Sequence, residues 1–228
     1  MKKQIAWILA LLLVVITNQA FAAKGACLSD ANGNPCSEGI AVNVTSKEYR
    51  SWPFDMVYPQ LAGMPDSAVQ GKINAILQKR AEEFRRSMNQ AVESGKGLPT
   101  FKHFTAKMEY TVRLQIEDKI SLTLMSYTFT GGAHGSSSLE GYTFDLVNGK
   151  LLQYSDLFKL DPASRKFLND EIAKQIMQRN IPIFNPFRGI GDNPGYYLKE
   201  GKKVVIVFQQ YEIAPYSSGI LEFEIPNE

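Results

Sequence analysis

The sequence predicts an α+β fold in which antiparallel sheets pack against two main helices. Short segments with apolar residues at alternate positions, separated by turn residues, are typical of antiparallel strands. Two longer segments have apolar residues at spacings near 3.6, which is typical of amphipathic helices. Because these elements do not alternate regularly as β-α-β, a doubly wound parallel sheet is not expected.

The first predicted helix follows a loop rich in proline and glycine at residues 58–65. Asp66 or Ser67 can cap its N-terminus, and Gly95 and Gly97 are expected to end it. Its predicted apolar stripe comprises Val69, Ile73, Ile76, Leu77, Phe84, Met88 and Val92. The second helix is expected to begin at Asp161 and Pro162, an N-cap followed by proline at the first helical position.

Most predicted strands form hairpins. They are residues 108–116 with 120–129, residues 139–146 with 151–158 around the Asn148-Gly149 turn, and residues 196–198 with 204–208. Residues 40–44 and 220–225 alternate as further strands, and residues 48–58 are expected to be extended with a break at Trp52-Pro53. The run 204–208 is apolar throughout, which predicts a central strand buried on both faces.

The N-terminus has the composition of a secretory signal peptide. Lys2 and Lys3 precede an apolar run at residues 5–16, and Ala20-Phe21-Ala22 is an A-x-A cleavage site. We therefore expect cleavage after Ala22 and a location in the periplasm or outside the cell. Removing residues 1–22 takes away two lysines and no acids, so the formal charge falls from +2 to 0. A neutral mature chain argues against nucleic acid and against electrostatic binding to membranes, and no membrane span is expected in it.

Cys27 and Cys36 are the two cysteines of the chain. In an oxidising compartment they are expected to form one disulfide that closes a small loop. A redox-active pair would have the tighter Cys-x-x-Cys spacing, and a metal site would need further Cys or His nearby. A structural disulfide is therefore the preferred interpretation.

His134 is the candidate for chemistry, because it stands in the glycine-rich turn Gly131–Gly135 that follows a predicted strand. The preferred role is a hydrogen bond that fixes the turn. One alternative is an envelope hydrolase in which His134 has an acidic partner from Asp145, Asp156 or Glu212. The other is a purely structural envelope protein. The only other histidine is His103, and the spacing of potential metal-binding residues in the sequence does not call for a metal site.

No cofactor is predicted. Residues 188–195 are rich in glycine, but they follow a segment broken by proline and open no helix, so dinucleotide binding is rejected. Four tyrosines, Tyr196, Tyr197, Tyr211 and Tyr216, could stack on a sugar or a protein partner, or pack in the core. Tyr216 follows Pro215 and is expected to be the most exposed of the four.

The segment from Ile181 to Gly195 is a long irregular loop, and such loops in compact domains are usually functional or mobile. Its candidate contact residues are Phe184, Phe187 and Arg188. The alternative is that the phenylalanines tuck under the loop as a small satellite core. With His134, Pro215 and Tyr216, these three residues make up the predicted binding surface.

Several strings together resemble one family. They are the 131–135 turn, Phe144-Asp145-Leu146, Asn148-Gly149-Lys150, Asp156-Leu157-Phe158, the string 211–216 with Gly219, Glu222-Phe223, and upstream residues 58–63 with Ile73-Asn74. They resemble the extracytoplasmic domain of RsiV-type anti-sigma factors and the non-catalytic N-terminal region of PdaC-like peptidoglycan deacetylases. The resemblance runs from about residue 42 to residue 226.

The resemblance implies a non-catalytic α+β module whose partner is a protein such as lysozyme or a peptidoglycan fragment. It also implies a division into the N-terminal segment 23–41, a PdaC-like subdomain at 42–130 and an RsiV-like subdomain at 131–228. The chain shows no sigma-binding segment and no deacetylase domain. We therefore expect neither anti-sigma activity nor deacetylation.

Overall fold

The structure, a computed structural model, describes residues 39–40 and 42–226. The predicted signal peptide at residues 1–22 and the predicted Cys27–Cys36 disulfide lie outside the described residues. Within the described part of the chain, no helix is both long and apolar enough to cross a bilayer. The α+β class is confirmed, with two sheets and two main helices.

The larger sheet has six strands that neighbour one another in chain order. They are β1 (Asn43–Ser51), β2 (Phe54–Ala62), β3 (Thr105–Ile116), β4 (Lys119–Phe129), β5 (Ser136–Asp145) and β6 (Leu151–Leu152). All pairs are antiparallel except β2 with β3, which run parallel over Phe54–Met56. That parallel step was not predicted, and it follows from the helix that connects the two strands.

Helix α1 (Ser67–Gly95) is that connection, and it matches the predicted helix. The carboxylate of Asp66 accepts hydrogen bonds from the backbone N–H groups of Ala68 and Val69, as an N-cap does. Its apolar stripe packs on one face of the sheet. The helix and the sheet form a hydrophobic cluster there. Its buried members include Val69, Ile73 and Leu77 from the helix and Ile120, Leu122, Leu124, Tyr142 and Phe144 from β4 and β5.

Two local predictions are wrong. Residues 58–62 are not a loop, because β2 continues through Pro59 to Ala62. The strand tolerates Pro59 because β3 pairs only with residues 54–56, so the missing N–H interrupts no bond to β3. The predicted strand 151–158 ends after two residues, and helix α2 (Tyr154–Leu157) follows, since Gln153 and Asp156 form a capping box.

The smaller sheet consists of β7 (Gly195–Lys199), β8 (Lys203–Phe208) and β9 (Leu221–Ile225), with β8 in the centre as predicted. One face of it packs on helix α3 (Pro162–Gln178) through Leu168, Ile172 and Ile176. The other face packs on β5 through Tyr197, Val205 and Val207 against Leu139. The layers therefore run α1, large sheet, small sheet, α3. Three 3₁₀ turns complete the elements in the described part of the chain: Phe101–His103, Glu200–Lys202 and Tyr216–Ser218.

The two sheets touch closely where β7 crosses β4 and β5. The backbone N–H of Leu198 donates to Ser121 Oγ at 2.9 Å, and Ser121 Oγ lies 2.8 Å from Thr143 Oγ1. Tyr196 and Tyr197 are buried at this crossing, so neither can stack on a ligand. Because β5 and β6 belong to the large sheet, residues on both sides of position 130 build it. The predicted subdomain boundaries stay predictions.

Candidate functional site

The glycine-rich turn joins β4 to β5 at one end of the large sheet. Gly131 has φ +87°, a left-handed conformation that glycine adopts without a Cβ penalty. A Cβ at Gly131 would overlap Thr100 Oγ1, and one at Gly135 would overlap the ring of Tyr127. These two glycines therefore allow the turn to lie flat against its neighbours, and His134 projects from it.

The exposed ring of His134 is the centre of an aromatic cluster that we define as His134, Tyr211 and Tyr216. Its ring stacks on Tyr216 with centroids 3.8 Å apart and planes 22° apart. Its Nδ1 lies 2.9 Å from the carbonyl oxygen of Gly135, and its Nε2 lies 3.3 Å from the hydroxyl of Tyr211. A carbonyl can only accept, so Nδ1 holds a proton and Nε2 of the neutral ring can accept from the tyrosine.

Two glutamines hold the 209–220 loop beside the turn. Strand β6 pairs only with Thr143 and Phe144, which leaves the first half of β5 without a strand on that side. The side-chain amide of Gln209 takes that place: it accepts from the N–H of Leu139 at 3.0 Å and donates to its carbonyl at 2.8 Å. Gln210 accepts from the N–H of Ser137 at 2.7 Å. The loop is therefore fastened to β5 next to His134.

Tyr211 is a site residue that was not on the predicted binding surface. It has φ +66°, a conformation that non-glycine residues rarely adopt and that often marks functional positions. Tyr211 is 54% exposed, whereas Tyr216 is half-buried and therefore less exposed. The expectation that Tyr216 is the most exposed tyrosine is therefore wrong, because its face is covered by His134. Pro215 precedes the short 3₁₀ turn that orients Tyr216.

The long 181–194 loop meets the other side of the same segment. The N–H of Phe184 donates to the carbonyl of Ile213 at 3.0 Å, and the side chain of Phe184 is exposed. Phe187 instead packs edge-on against the core residue Phe208, with centroids 5.9 Å apart. The two alternatives for the phenylalanines thus divide between them. Residues 183–189, Glu212 and Ile213 line a pocket of about 320 Å³, and Arg188 is an exposed member of this lining.

The acidic residues considered as partners for His134 have other hydrogen-bond partners. Asp145 accepts from the N–H of Val147, Asp156 from Lys150 and the N–H of Gln153, and Glu212 from the N–H of Gln209. The Lys150 side chain and the Gln153 N–H hold the pKa of Asp156 below its usual value. No group of three or more potential metal ligands occurs among residues 39–40 and 42–226.

The structure thus brings His134 and Tyr216 into direct contact, with Tyr211 beside them. It places Phe184, Phe187 and Arg188 together at the pocket. The 209–220 loop touches both groups, through Tyr211 and Tyr216 on one side and Glu212 and Ile213 on the other. No spacing in the sequence could show this, since 77 residues separate His134 from Tyr211.

Two family models match the chain. Residues 44–137 match the family described as Deacetylase PdaC, and residues 155–228 match the family described as a protein of unknown function, DUF3298. His134 belongs to the first matched segment and Tyr216 to the second. The ring stack therefore joins the two segments across the fold.

The chain is 26% identical over 184 residues to the anti-sigma-V factor RsiV of Bacillus subtilis, which covers 76% of this chain and 62% of RsiV. This chain therefore spans about three fifths of the length of that relative. Two solved DUF3298 structures have the same fold. The protein from Bacteroides fragilis has a TM-score of 0.60 at 15% identity, covering 83% of this chain and 91% of its own. The protein from Pseudomonas aeruginosa PAO1 has a TM-score of 0.52 at 18% identity, covering 83% and 92%. The predicted recognition is confirmed: the chain resembles RsiV-type and PdaC-like proteins, with a PdaC segment followed by a DUF3298 segment.

Proposed function

We propose that the chain is an exported, non-catalytic binding module of the cell envelope. Its ligand is a protein such as lysozyme or a cell-wall glycan, as the resemblance implies. The observation that supports this proposal most directly is the aromatic cluster of the exposed His134 and Tyr211 with the half-buried Tyr216, placed beside a pocket to which the same loop contributes Glu212 and Ile213. Rings of this kind offer rigid apolar faces and polar edges to a sugar or to a protein surface.

The fastening of the loop supports a preformed binding surface. Gln209 and Gln210 fix the loop to β5 by three hydrogen bonds, and the N–H of Phe184 fixes the neighbouring loop to it. A surface that is ordered before binding loses less conformational entropy when the ligand arrives. Tyr211, with its rare backbone conformation, directly follows Gln210 and lies beside His134.

The hydrolase alternative needs an acidic partner for His134. Both ring nitrogens instead lie near a backbone carbonyl and a tyrosine hydroxyl, and the three acids considered bind other groups. A histidine that acts as a general base is normally oriented by a third group, which hydrogen-bonds to its other ring nitrogen. This geometry favours binding over hydrolysis.

The test is a calorimetric titration of the protein with lysozyme and, separately, with muropeptides. We expect saturable heat with one of them. The Tyr211→Ala variant should weaken that binding about tenfold or more, since Tyr211 is the exposed tyrosine of the cluster and exposed aromatic anchors contribute most of the energy of such surfaces. Val147→Ala is the matched control, because Val147 is an exposed apolar residue of the β5–β6 turn at the other end of β5. The absence of heat with both ligands at high concentration would refute this ligand assignment.

A further inference from the structure

Polar side chains bond to several strand edges that no neighbouring strand covers. On β5, Gln209 and Gln210 do so next to His134. On β2, beyond the short stretch that pairs with β3, the side-chain amide of Asn74 takes this place. It accepts from the N–H of Leu61 at 2.7 Å and donates to the carbonyl of Leu61 at 2.9 Å. An open edge is a template for pairing with another chain, and these amides block it.

The edge of β9 is occupied in the same way from helix α3. Gln175 donates to the carbonyl of Glu224 at 2.7 Å, and Arg179 donates to the carbonyl of Glu222 at 2.9 Å. The guanidinium of Arg179 also lies over the ring of Phe223, 5.0 Å from its centroid. Side chains from neighbouring elements thus take hydrogen-bonding positions on β2, β5 and β9 that another strand would otherwise fill.

The outer edge of β1 differs from these edges. β1 is the first strand of the large sheet and pairs with β2 along all nine of its residues, Asn43–Ser51. Within residues 39–40 and 42–226, neither a side chain nor another strand bonds to the backbone on its opposite side. Val44 and Tyr49 are half-buried, and the other residues of the strand are exposed. The described fold therefore leaves this edge open to a partner.

The bonds of Asn74 show which backbone groups of β1 face outward. Leu61 is the register partner of Val44, and the N–H and carbonyl of Leu61 point away from β1 to Asn74. Val44 and Leu61 therefore form a non-hydrogen-bonded pair, so the N–H and carbonyl of Val44 point to the open side. Because this pattern alternates along an antiparallel pair, the same holds for Glu48 and Arg50.

The charged side chains of β1 make the strand complementary to itself. Glu48 and Arg50 are exposed and lie on one face, with Arg50 Nε 3.1 Å from a carboxylate oxygen of Glu48. If two copies pair antiparallel about a two-fold axis at Tyr49, Glu48 of each copy lies opposite Arg50 of the other. Opposite charges that face each other across strands stabilise the pairing. An axis at Lys47 or at Glu48 would instead place like charges opposite each other.

The other charges near this edge are compatible with that register. Lys47 lies opposite Ser51 of the other copy, so no like charge faces it. Asp55 on β2 lies 3.8 Å from Arg50 and adds a negative charge beside it. Arg85 of α1 lies over the tyrosine ring at the axis, 5.1 Å from its centroid, and thus on the face opposite to the paired charges. The register at the tyrosine therefore joins opposite charges and places no like charges directly opposite.

We propose that β1 pairs with β1 of a second copy, which joins two six-stranded sheets into one continuous sheet. Glu48 and Arg50 exchange backbone hydrogen bonds across the two-fold axis at Tyr49. The contact is isologous, since both copies contribute the same residues. Because one strand edge buries little area, the dimer is weak and depends on protein concentration. The proposal is independent of the proposed function, because β1 shares no residue with the ligand surface.

The experiment is analytical ultracentrifugation over a range of protein concentrations. The protein used starts at residue 23, because the apolar run at 5–16 would itself promote association. The described fold begins at residue 39 and is therefore retained. We expect a monomer–dimer equilibrium that closes at the dimer, since a two-fold contact uses up both edges. A protein that is still monomeric at about 1 mM, or one that forms open-ended assemblies, would overturn the proposal.

Charge reversal tests the register. Glu48→Arg and Arg50→Glu each place like charges opposite each other twice, so each should weaken dimerisation about tenfold or more. The double variant Glu48→Arg/Arg50→Glu restores both opposite pairs and should dimerise as the parent does. Lys79→Glu is the control, because Lys79 is an exposed residue of α1 away from the edge. Thermal unfolding of each variant checks that it is folded. Unchanged dimerisation of the single variants, or no recovery in the double variant, would contradict the register.

Amide hydrogen exchange locates the contact. The N–H groups of Glu48 and Arg50 should exchange more slowly as the dimer forms, whereas those of Lys47 and Tyr49, which bond to β2, should not change. Protection of Glu48 and Arg50 that is already complete in the monomer would show that another segment of the same chain covers this edge. That outcome would overturn the proposal, as would a dimer in which both groups exchange freely.

Discussion

Gly131 shows how much a single backbone position contributes to the site. Its φ of +87° and its contact with Thr100 leave no space for a side chain. The added Cβ would lie 2.7 Å from the Cβ of Thr100 and would overlap its Oγ1. The turn that holds His134 therefore needs a residue without a Cβ at this position, both for its backbone conformation and for its contact with Thr100.

Substitution of Gly131 by alanine should destabilise the protein for two separable reasons. The left-handed conformation costs an alanine about 1–2 kcal/mol, and the overlap with Thr100 adds about 1–3 kcal/mol. Gly97→Ala is the matched control, because Gly97 has a similar φ of +92° but nothing within 4 Å of its virtual Cβ. Urea denaturation of both variants measures the difference. Equal losses would show that the contact with Thr100 is unimportant.

At the scale of elements, α1 is fixed to β5 by a partly buried ion pair. Arg80 Nε donates to both carboxylate oxygens of Glu140, at 2.9 and 2.8 Å, and the hydroxyl of Tyr142 donates to Glu140 at 2.8 Å. A second nitrogen of Arg80 also pairs with Glu140. Bidentate pairs of this kind are stronger and more directional than exposed ones. The pair therefore sets where the long helix lies on the sheet.

Removal of the guanidinium should reveal this difference. We expect Arg80→Ala to lower the free energy of unfolding by about 2 kcal/mol, because Glu140 is left partly buried without its charged partner. Lys79→Ala is the control, since Lys79 and Glu83 form an exposed pair at 3.9 Å that contributes only about 0–0.5 kcal/mol. Chemical denaturation at neutral pH compares the two. Similar small losses would mean that the Arg80 pair is no stronger than a surface pair.

The same pair predicts a pH dependence. Burial alone would raise the pKa of Glu140, but its hydrogen bonds with Arg80 and Tyr142 outweigh burial and hold the pKa below its ordinary value of 4.5. A carboxyl with a lowered folded-state pKa stabilises the protein fully above its unfolded-state pKa, and this stability is lost as pH falls through the folded-state value. The advantage of the parent protein over Glu140→Gln should therefore be constant near neutral pH and shrink below about pH 4.5. An advantage that grows on acidification would contradict this assignment.

At the scale of the whole molecule, the two sheets approach each other closely at Gly141. A Cβ there would overlap the carbonyl oxygen of Tyr196 and lie 2.7 Å from its carbonyl carbon. Because that obstacle is backbone of β7, no side-chain rotation can relieve it. The close approach of the large and small sheets, and with it the position of the 209–220 loop, depends on this glycine.

We therefore expect Gly141→Ala to destabilise the protein by about 3 kcal/mol, near the upper end of typical overpacking costs. Gly71→Ala should instead stabilise it by about 0.5–1 kcal/mol, since Gly71 lies inside α1 with nothing within 4 Å of its virtual Cβ. Thermal unfolding of both variants gives the signs. A neutral Gly141→Ala would show that the sheets can separate without cost.

The sequence by itself determined the class of the fold and most of its elements. The 3.6-residue period predicted α1, the Asp161-Pro162 pair predicted the start of α3, and the apolar run at 204–208 predicted a central strand. Local signals suffice for these because each depends on neighbours within one element. Local signals failed at Pro59, because whether a strand tolerates proline depends on how far its neighbour β3 pairs with it. They also failed at Gln153, because its capping box with Asp156 starts a helix where a strand was predicted.

Only the tertiary structure decided how the candidate site is assembled. The strings around His134 and Tyr216 could be recognised in the sequence, but their stacking required Gln209 and Gln210 to occupy the unpaired edge of β5. Phe184 and Phe187 looked alike as loop residues, and they differ because Phe187 packs against Phe208 whereas Phe184 is exposed. Contacts between residues distant in the chain are fixed by how whole layers pack. The periodicity of two or 3.6 residues within an element does not reveal such contacts.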